Sequence, residues 1–199
     1  ADGAPMPPAA ELSYGAILSR PVFWFIGVAA FATFYAILAI SYNLFLHTKD
    51  LGIDARDAAK YFVPLFIGGL VGKLLSGFVS DLFGRKRTWL IFLGLMLVGS
   101  LFLLTNSQQW LFASVACFGL GWGGNYTLLQ AITADAFGTR SLGKVMGAIT
   151  VLDAGGGAIG PWITGMLYDS FGSYIVAFWV IAALITLAIV MALLVPATE

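Results

Sequence analysis

Six stretches of this chain are almost continuously apolar: residues 21–46, 59–80, 88–106, 109–134, 142–168 and 173–195. About 20 apolar residues at 1.5 Å each cross the roughly 30 Å hydrocarbon layer of a bilayer as a helix. None of the six alternates apolar and polar positions, as a membrane barrel strand of about ten residues would. Backbone groups in lipid must be satisfied within their own segment, so runs of this kind predict helices. The expectation is an all-α membrane protein with six transmembrane helices over residues 21–199. Ahead of them, ADGAPMPPAA reads as a flexible linker and ELSYGAILSR as a short interfacial helix, giving a linker region over residues 1–20. No basic segment precedes the first apolar run, so this is not a signal peptide. The chain opens without a methionine and is expected to be part of a longer protein.

Composition agrees. Sixty per cent of the residues are hydrophobic and 10% are charged, with a mean hydropathy of +0.93. A water-soluble domain carries roughly a quarter of its residues as charges. Cys117, the only cysteine, cannot form an intramolecular disulfide and is read as packing inside the fourth stretch. His47, the only histidine, is expected at a helix end facing water, with proton carriage as the alternative.

Charge in the short loops sets orientation. With the N-terminal linker inside, inner loops hold Arg20, Arg85, Lys86, Arg87, Arg140 and Lys144, and outer loops hold Lys49, Arg56 and Lys60. Both termini are therefore expected in the cytoplasm. The stretch GFVSDLFGRKR (77–87) and the later GMLYDSFGSY (165–174) share the frame G-x-x-x-D-x-F-G, and only the first continues into cations. Residues 68–84 and 156–172 agree at Gly68, Gly69, Gly72, Gly77, Asp81, Phe83 and Gly84 against Gly156, Gly157, Gly160, Gly165, Asp169, Phe171 and Gly172. Their turns fall on opposite faces of the membrane. The six spans thus read as a 3+3 inverted repeat, the architecture that lets two related halves exchange packing around one site.

GFVSDLFGRKR resembles the signature loop of the major facilitator superfamily, roughly G-x-x-x-D-x-x-G-R-[RK]-[RK], which lies between helices two and three and in weaker form between eight and nine. GPWITGMLYDSFGSY resembles the family's region around helices eleven and twelve. With the Pro-rich entry, the resemblance implies the C-terminal six-helix half, helices seven to twelve, whose partner is a missing N-terminal six-helix half. KLLSGFVSD resembles the monocarboxylate-transporter and oxalate/formate-antiporter branches. Those relatives carry arginine where this chain has Lys73.

Two ionisable side chains lie deep in spans. Lys73 is eight residues before Asp81 and Asp153 nine after Lys144, about 12 and 13–14 Å deep at 1.5 Å per residue. Each costs about 2.5–3.5 kcal/mol on insertion scales. Gly69, Lys73, Ser76, Gly77 and Ser80 form one small or polar stripe, and Thr150, Asp153, Gly157, Gly160 and Thr164 another. Both charges are expected to face one central wet chamber, Lys73 binding an organic anion; the alternatives are a Lys73–Asp153 salt bridge or a snorkelling Lys73. Anion binding would free Asp153, which in low dielectric takes up a proton; the resemblance implies proton symport. Tyr35 and Asn125 are candidate substrate contacts, with Tyr42, Asn43, Tyr126 and Gln130 behind them. Asp81 and Arg85 are candidates for a cytoplasmic gate, and Gly160-Pro161 for a break or kink that gates.

The expected function is secondary active transport of a small monocarboxylate or dicarboxylate in the cell membrane, a bacterial inner membrane. A non-transporting scaffold or receptor-like half, a facilitator of a neutral solute and a channel are the rivals. Asp153 is the only acid within a span, and there is no His/Cys/Glu metal cluster and no G-x-S-x-G turn, which argues against an enzyme. No cofactor, metal or nucleic-acid partner is expected.

Overall fold

The computed structural model describes residues 11–196. Helices are α1 (Tyr14–Leu18), α2 (Pro21–Asp50), α3 (Ala55–Ala58), α4 (Phe62–Phe83), α5 (Arg85–Leu103), α6 (Gln108–Phe137), α7 (Leu142–Phe171) and α8 (Ile175–Leu194). A 3-10 turn, Ala59–Tyr61, joins α3 to α4, and no strand occurs among the described residues. The six long helices coincide with the six apolar stretches. Five are long and apolar enough to cross a membrane: α2, the α3–α4 unit, α5, α7 and α8. α6 is equally long at 30 residues, but Gln108, Gln109, Asn125, Gln130 and Asp135 dilute its apolar character.

The linker ADGAPMPPAA lies outside the described residues. The interfacial segment contains the five-residue α1, capped by Ser13, whose hydroxyl accepts from the Ala16 amide. It is fastened to the start of α7 by Leu12 N donating to Ser141 Oγ at 3.0 Å and by the Glu11–Lys144 ion pair at 3.2 Å.

The helices pack as two close parallel pairs, α4 on α6 and α2 on α7, with α5 bridging α6 and α8, and α8 returning to α2. Glycines decide how close those pairs come. A Cβ on Gly72 would lie 2.0 Å from the Leu120 carbonyl oxygen, and one on Gly68 2.8 Å from that of Ala116. In the other seam, a Cβ on Gly160 would lie 2.5 Å from the Tyr35 carbonyl oxygen, and one on Gly156 2.3 Å from that of Phe31. Gly68 and Gly72 thus meet Ala116 and Leu120 as Gly156 and Gly160 meet Phe31 and Tyr35. Exchanging α2 with α6, α4 with α7 and α5 with α8 carries the principal helix contacts onto one another.

The repeated turn is less symmetric than its sequence. Gly84, between α4 and α5, has φ 81° and ψ 153°, whereas Gly172 is left-handed at φ 65° and ψ 17°. The conformational twin of Gly84 is Gly138, between α6 and α7, at φ 79° and ψ 152°. It closes a third D-x-F-G frame, Asp135-Ala136-Phe137-Gly138.

The break expected at Gly160-Pro161 does not occur. α7 continues unbroken from Leu142 to Phe171 through Gly160-Pro161. Proline removes one intrahelical donor, but Gly160 lies against α2, and close packing holds the helix together.

Candidate functional site

Lys73 sits on an exposed flank of α4. The side of α4 against α6 carries the buried Leu65, Gly69, Gly72 and Ser76. At about 100° per residue, Lys73, Gly77 and Ser80 lie to one side of that stripe and Val71, Leu75, Phe78 and Leu82 to the other. From Lys73 to Ser80 the charged flank is small and polar, with Phe66 and Leu70 exposed beside it one and two turns earlier, while the opposite flank is apolar throughout. The stripe read from sequence therefore splits: Gly69 and Ser76 pack on α6, and Lys73 and Gly77 stay open. Lys73 forms no ion pair among the described residues.

Asp153 is placed differently. It is 5% exposed and shares the buried face of α7 with Gly156, Gly157, Gly160 and Thr164. That face meets α2, through Phe31, Phe34, Tyr35 and Leu38. The structure does not bring Lys73 and Asp153 together into one open chamber: the carboxyl lies in the α2–α7 seam, and the two residues form no salt bridge. At the offset of 88 residues that aligns the glycines, Asp153 corresponds to Leu65, which is wholly buried opposite Gly119 in the α4–α6 seam. One seam has leucine where the other has a carboxylic acid.

Tyr35 is 3% exposed in the same seam as Asp153. Its hydroxyl and that of Thr164 lie close enough to influence one another but lack hydrogen-bond geometry, so each is buried without a partner. Asn125 is 2% exposed, and its Oδ1 accepts from Trp89 Nε1 at 2.7 Å. Its carbonyl joins α5 to α6, which leaves the side-chain N–H2, the donor expected from sequence, uncommitted by that bond. Asn43 donates to the Ala39 carbonyl within its own helix. Tyr42 is 70% exposed, and Gln130 and Thr150 are exposed as well. The Tyr126 ring lies 6.4 Å from that of Phe34.

At the end of the bundle where α4, α6 and α8 finish, a cleft of about 620 Å³ is lined by Ser80, Asp81, Arg85, Lys86, Asp135 and Val195, among others. Arg85 ion-pairs with Asp135 across the cleft. Asp81 faces the same cleft without an ion pair among the described residues. Lys86 Nζ donates to the carbonyls of Leu193 and Val195, capping the carboxyl end of α8. Cations near a helix C-terminus are favoured by its partial negative charge. Arg20 lies over the Phe137 ring at 5.8 Å.

At the opposite end His47 is buried, 2% exposed, against the expectation of a water-facing residue. Its ring stands edge-on to Phe178 at 4.9 Å and Tyr174 at 5.6 Å. Tyr174 stacks on Tyr168 at 4.4 Å, whose hydroxyl donates to Asp50 at 3.0 Å. Burial, with Asp50 nearby, pushes the Tyr174 hydroxyl up to about 12. Cys117 packs as expected, its thiol 3.4 Å from the Leu95 carbonyl.

Sequence reasoning passed over two residues. Asp135 was marked by the third D-x-F-G frame. Trp122, whose indole N–H is buried without an acceptor while its ring covers Gly69 one turn from Lys73, carried no such mark. No group of three or more His, Cys, Asp or Glu suited to a metal occurs among the described residues.

Comparison with known proteins gives the class. Residues 61–199 match the Major Facilitator Superfamily. Among solved structures, the POT family transporter PepTSo superposes with a TM-score of 0.80 at 21% identity, over 89% of this chain and 38% of that one. The Escherichia coli fucose:proton symporter does so with a TM-score of 0.80 at 16% identity, over 94% and 46%. This chain belongs to the Major Facilitator Superfamily. Its relatives include the oxalate:formate antiporter of Oxalobacter formigenes, 27% identical over 83% of this chain and 43% of that protein. Monocarboxylate transporter 12 of Xenopus laevis is 29% identical over 81% and 36%. The chain thus spans less than half the length of either.

Proposed function

We propose that the chain is the C-terminal six-helix half of a proton-coupled transporter that moves a small organic anion, a monocarboxylate or dicarboxylate, by alternating access. The observation that carries this reading is Asp153. A buried carboxyl is costly in a membrane, and the equivalent position in the other seam is filled by a leucine, so packing alone does not call for an acid. The paired glycine contacts of the two seams support a 3+3 inverted repeat. The names of the two relatives above point to small organic anions as cargo.

In this reading Lys73, on the open flank of α4, holds the carboxylate as a point charge, in the way an ammonium does. Asp153 binds its proton while the α2–α7 seam is closed and releases it when water enters. Tyr35, whose hydroxyl is buried beside Thr164 without a partner, donates to the substrate once that seam opens. Asn125, held by Trp89 at its carbonyl, offers its side-chain N–H2 to the substrate. Asp81 and Arg85, with Asp135, form the gate at the end we assign to the cytoplasm, where both termini lie. Pro161, which removes one donor from the α7 ladder, supplies the flexure once Gly160 parts from Tyr35 as the seam opens. The missing partner is an N-terminal six-helix half, and the setting is a bacterial inner membrane.

The test is uptake of labelled small mono- and dicarboxylates into proteoliposomes by the full-length transporter. Asp153→Asn is expected to lose proton-driven uptake while retaining substrate exchange, and Lys73→Gln to raise KM at least tenfold. An unchanged pH dependence in Asp153→Asn would refute the coupling role. Uptake of neutral solutes alone would favour a facilitator.

A further inference from the structure

The flank of α4 turned away from Lys73 borders an apolar groove of about 570 Å³ between α4 and α6. Val63, Ile67 and Val71, spaced four residues apart, form one wall, Phe112 the other, and Ala116 and Cys117 the floor. From Lys60 to Val71 it is about 16 Å long at 1.5 Å per residue, roughly half of a 30 Å hydrocarbon layer. Its charge sits at one end, where Lys60 is ion-paired with Asp57 and both side chains are more than half exposed, at 75% and 52%.

We propose that this groove holds one acyl chain of a phospholipid whose headgroup carries both a phosphate and a protonated amine, as in phosphatidylethanolamine. The groove runs along the helices from one end of the bundle toward its middle, the path of a chain in a single leaflet. Ala116 and Cys117, between Phe112 and Leu120, leave the floor low enough to admit a chain. At the mouth, the neighbouring ammonium and carboxylate are complementary to such a headgroup: Lys60 donates to the phosphate, and Asp57 accepts from the lipid's ammonium. Charge-assisted hydrogen bonds of this kind are roughly twice as strong as neutral ones. A choline headgroup has no N–H to give Asp57, and a purely anionic headgroup meets that carboxylate with no positive charge.

The experiment is native mass spectrometry of the full chain, delipidated and then offered dioleoyl phosphatidylethanolamine, phosphatidylglycerol or phosphatidylcholine at equal concentration. One ethanolamine lipid per chain is expected, retained at least fivefold over the other two. Lys60→Ala and Asp57→Ala are each expected to abolish that preference, and Ala116→Leu to remove the bound lipid. A leucine there could also disturb the α4–α6 seam, so the wild-type chain supplies an independent reading. Cys117, its only cysteine, should react several-fold more slowly with an apolar maleimide when the ethanolamine lipid is present than with the choline lipid. Equal retention of all three lipids, a preference for the glycerol lipid, unprotected Cys117, or a second copy of the chain in place of lipid would each overturn the assignment.

Discussion

Replacing Gly123 by alanine tests whether backbone contact holds the α4–α6 pair together. A Cβ there would sit 1.8 Å from the Gly69 carbonyl oxygen and 2.6 Å from its carbon. An ordinary C···O contact is about 3.3 Å, so the helices must separate by about 1.5 Å. Both colliding groups are backbone and cannot rotate aside. Overpacking a filled interior costs about 1–3 kcal/mol, and this case belongs at the upper end. Alanine returns about 1 kcal/mol of helix propensity, leaving a net loss of about 2 kcal/mol. Gly94→Ala is the control: it gains the same propensity, and nothing lies within 4 Å of its Cβ. Thermal unfolding in detergent, followed by loss of the helical circular-dichroism signal, measures both variants. Gly123→Ala should unfold several degrees below the wild type and Gly94→Ala at or above it. Equal midpoints for the two would refute the argument, since only the backbone collision separates them.

Two further outcomes follow from contacts already described. Trp89→Phe leaves the Asn125 carbonyl buried without its donor, and should destabilise the chain by about 1–3 kcal/mol, read in the same melt with Asn125→Leu/Trp89→Phe as the partial rescue. Under the proposed gate, Asp135→Asn and Arg85→Gln should each open the end of the bundle that holds Asp81, seen as faster labelling of a cysteine introduced at Ser80. Because the Arg85 side chain is half exposed and that of Asp135 a quarter exposed, their effect on stability should stay within about 1 kcal/mol and shrink at high salt.

The helices were legible from the sequence because lipid imposes a one-dimensional requirement. A segment must be apolar, long enough and internally hydrogen-bonded, and each of those can be read along the chain. Helix-facing directions were less legible. Asp153 and Lys73 have similar depths, which sequence spacing gives, but different surroundings, which it does not. In a bundle where small residues line both the tight seams and the open flank, a glycine near a charge does not say which of the two it marks. Gly160 illustrates this: beside a proline it reads as a hinge, yet the backbone of Tyr35 lies against it. His47 was misread for a related reason. At the end of an apolar run a polar residue faces water by default, and only the fold back of α8 brings Tyr174 and Phe178 over it. Asp135 could have been found from its D-x-F-G frame; that it, and not Asp81, pairs with Arg85 depends on where α6 ends.

The sequence by itself determined that this chain lives in lipid, that it is helical, and that one segment is repeated with its charges trimmed on one face. These properties belong to single segments in a solvent that cannot satisfy a bare amide. Only the tertiary structure decided that Asp153 is enclosed where its counterpart is Leu65, that Asn125 is tied to Trp89, and that Lys73 remains open. Partners on different helices are chosen by how two backbones fit together, and that fit is a property of pairs of segments, absent from either one alone.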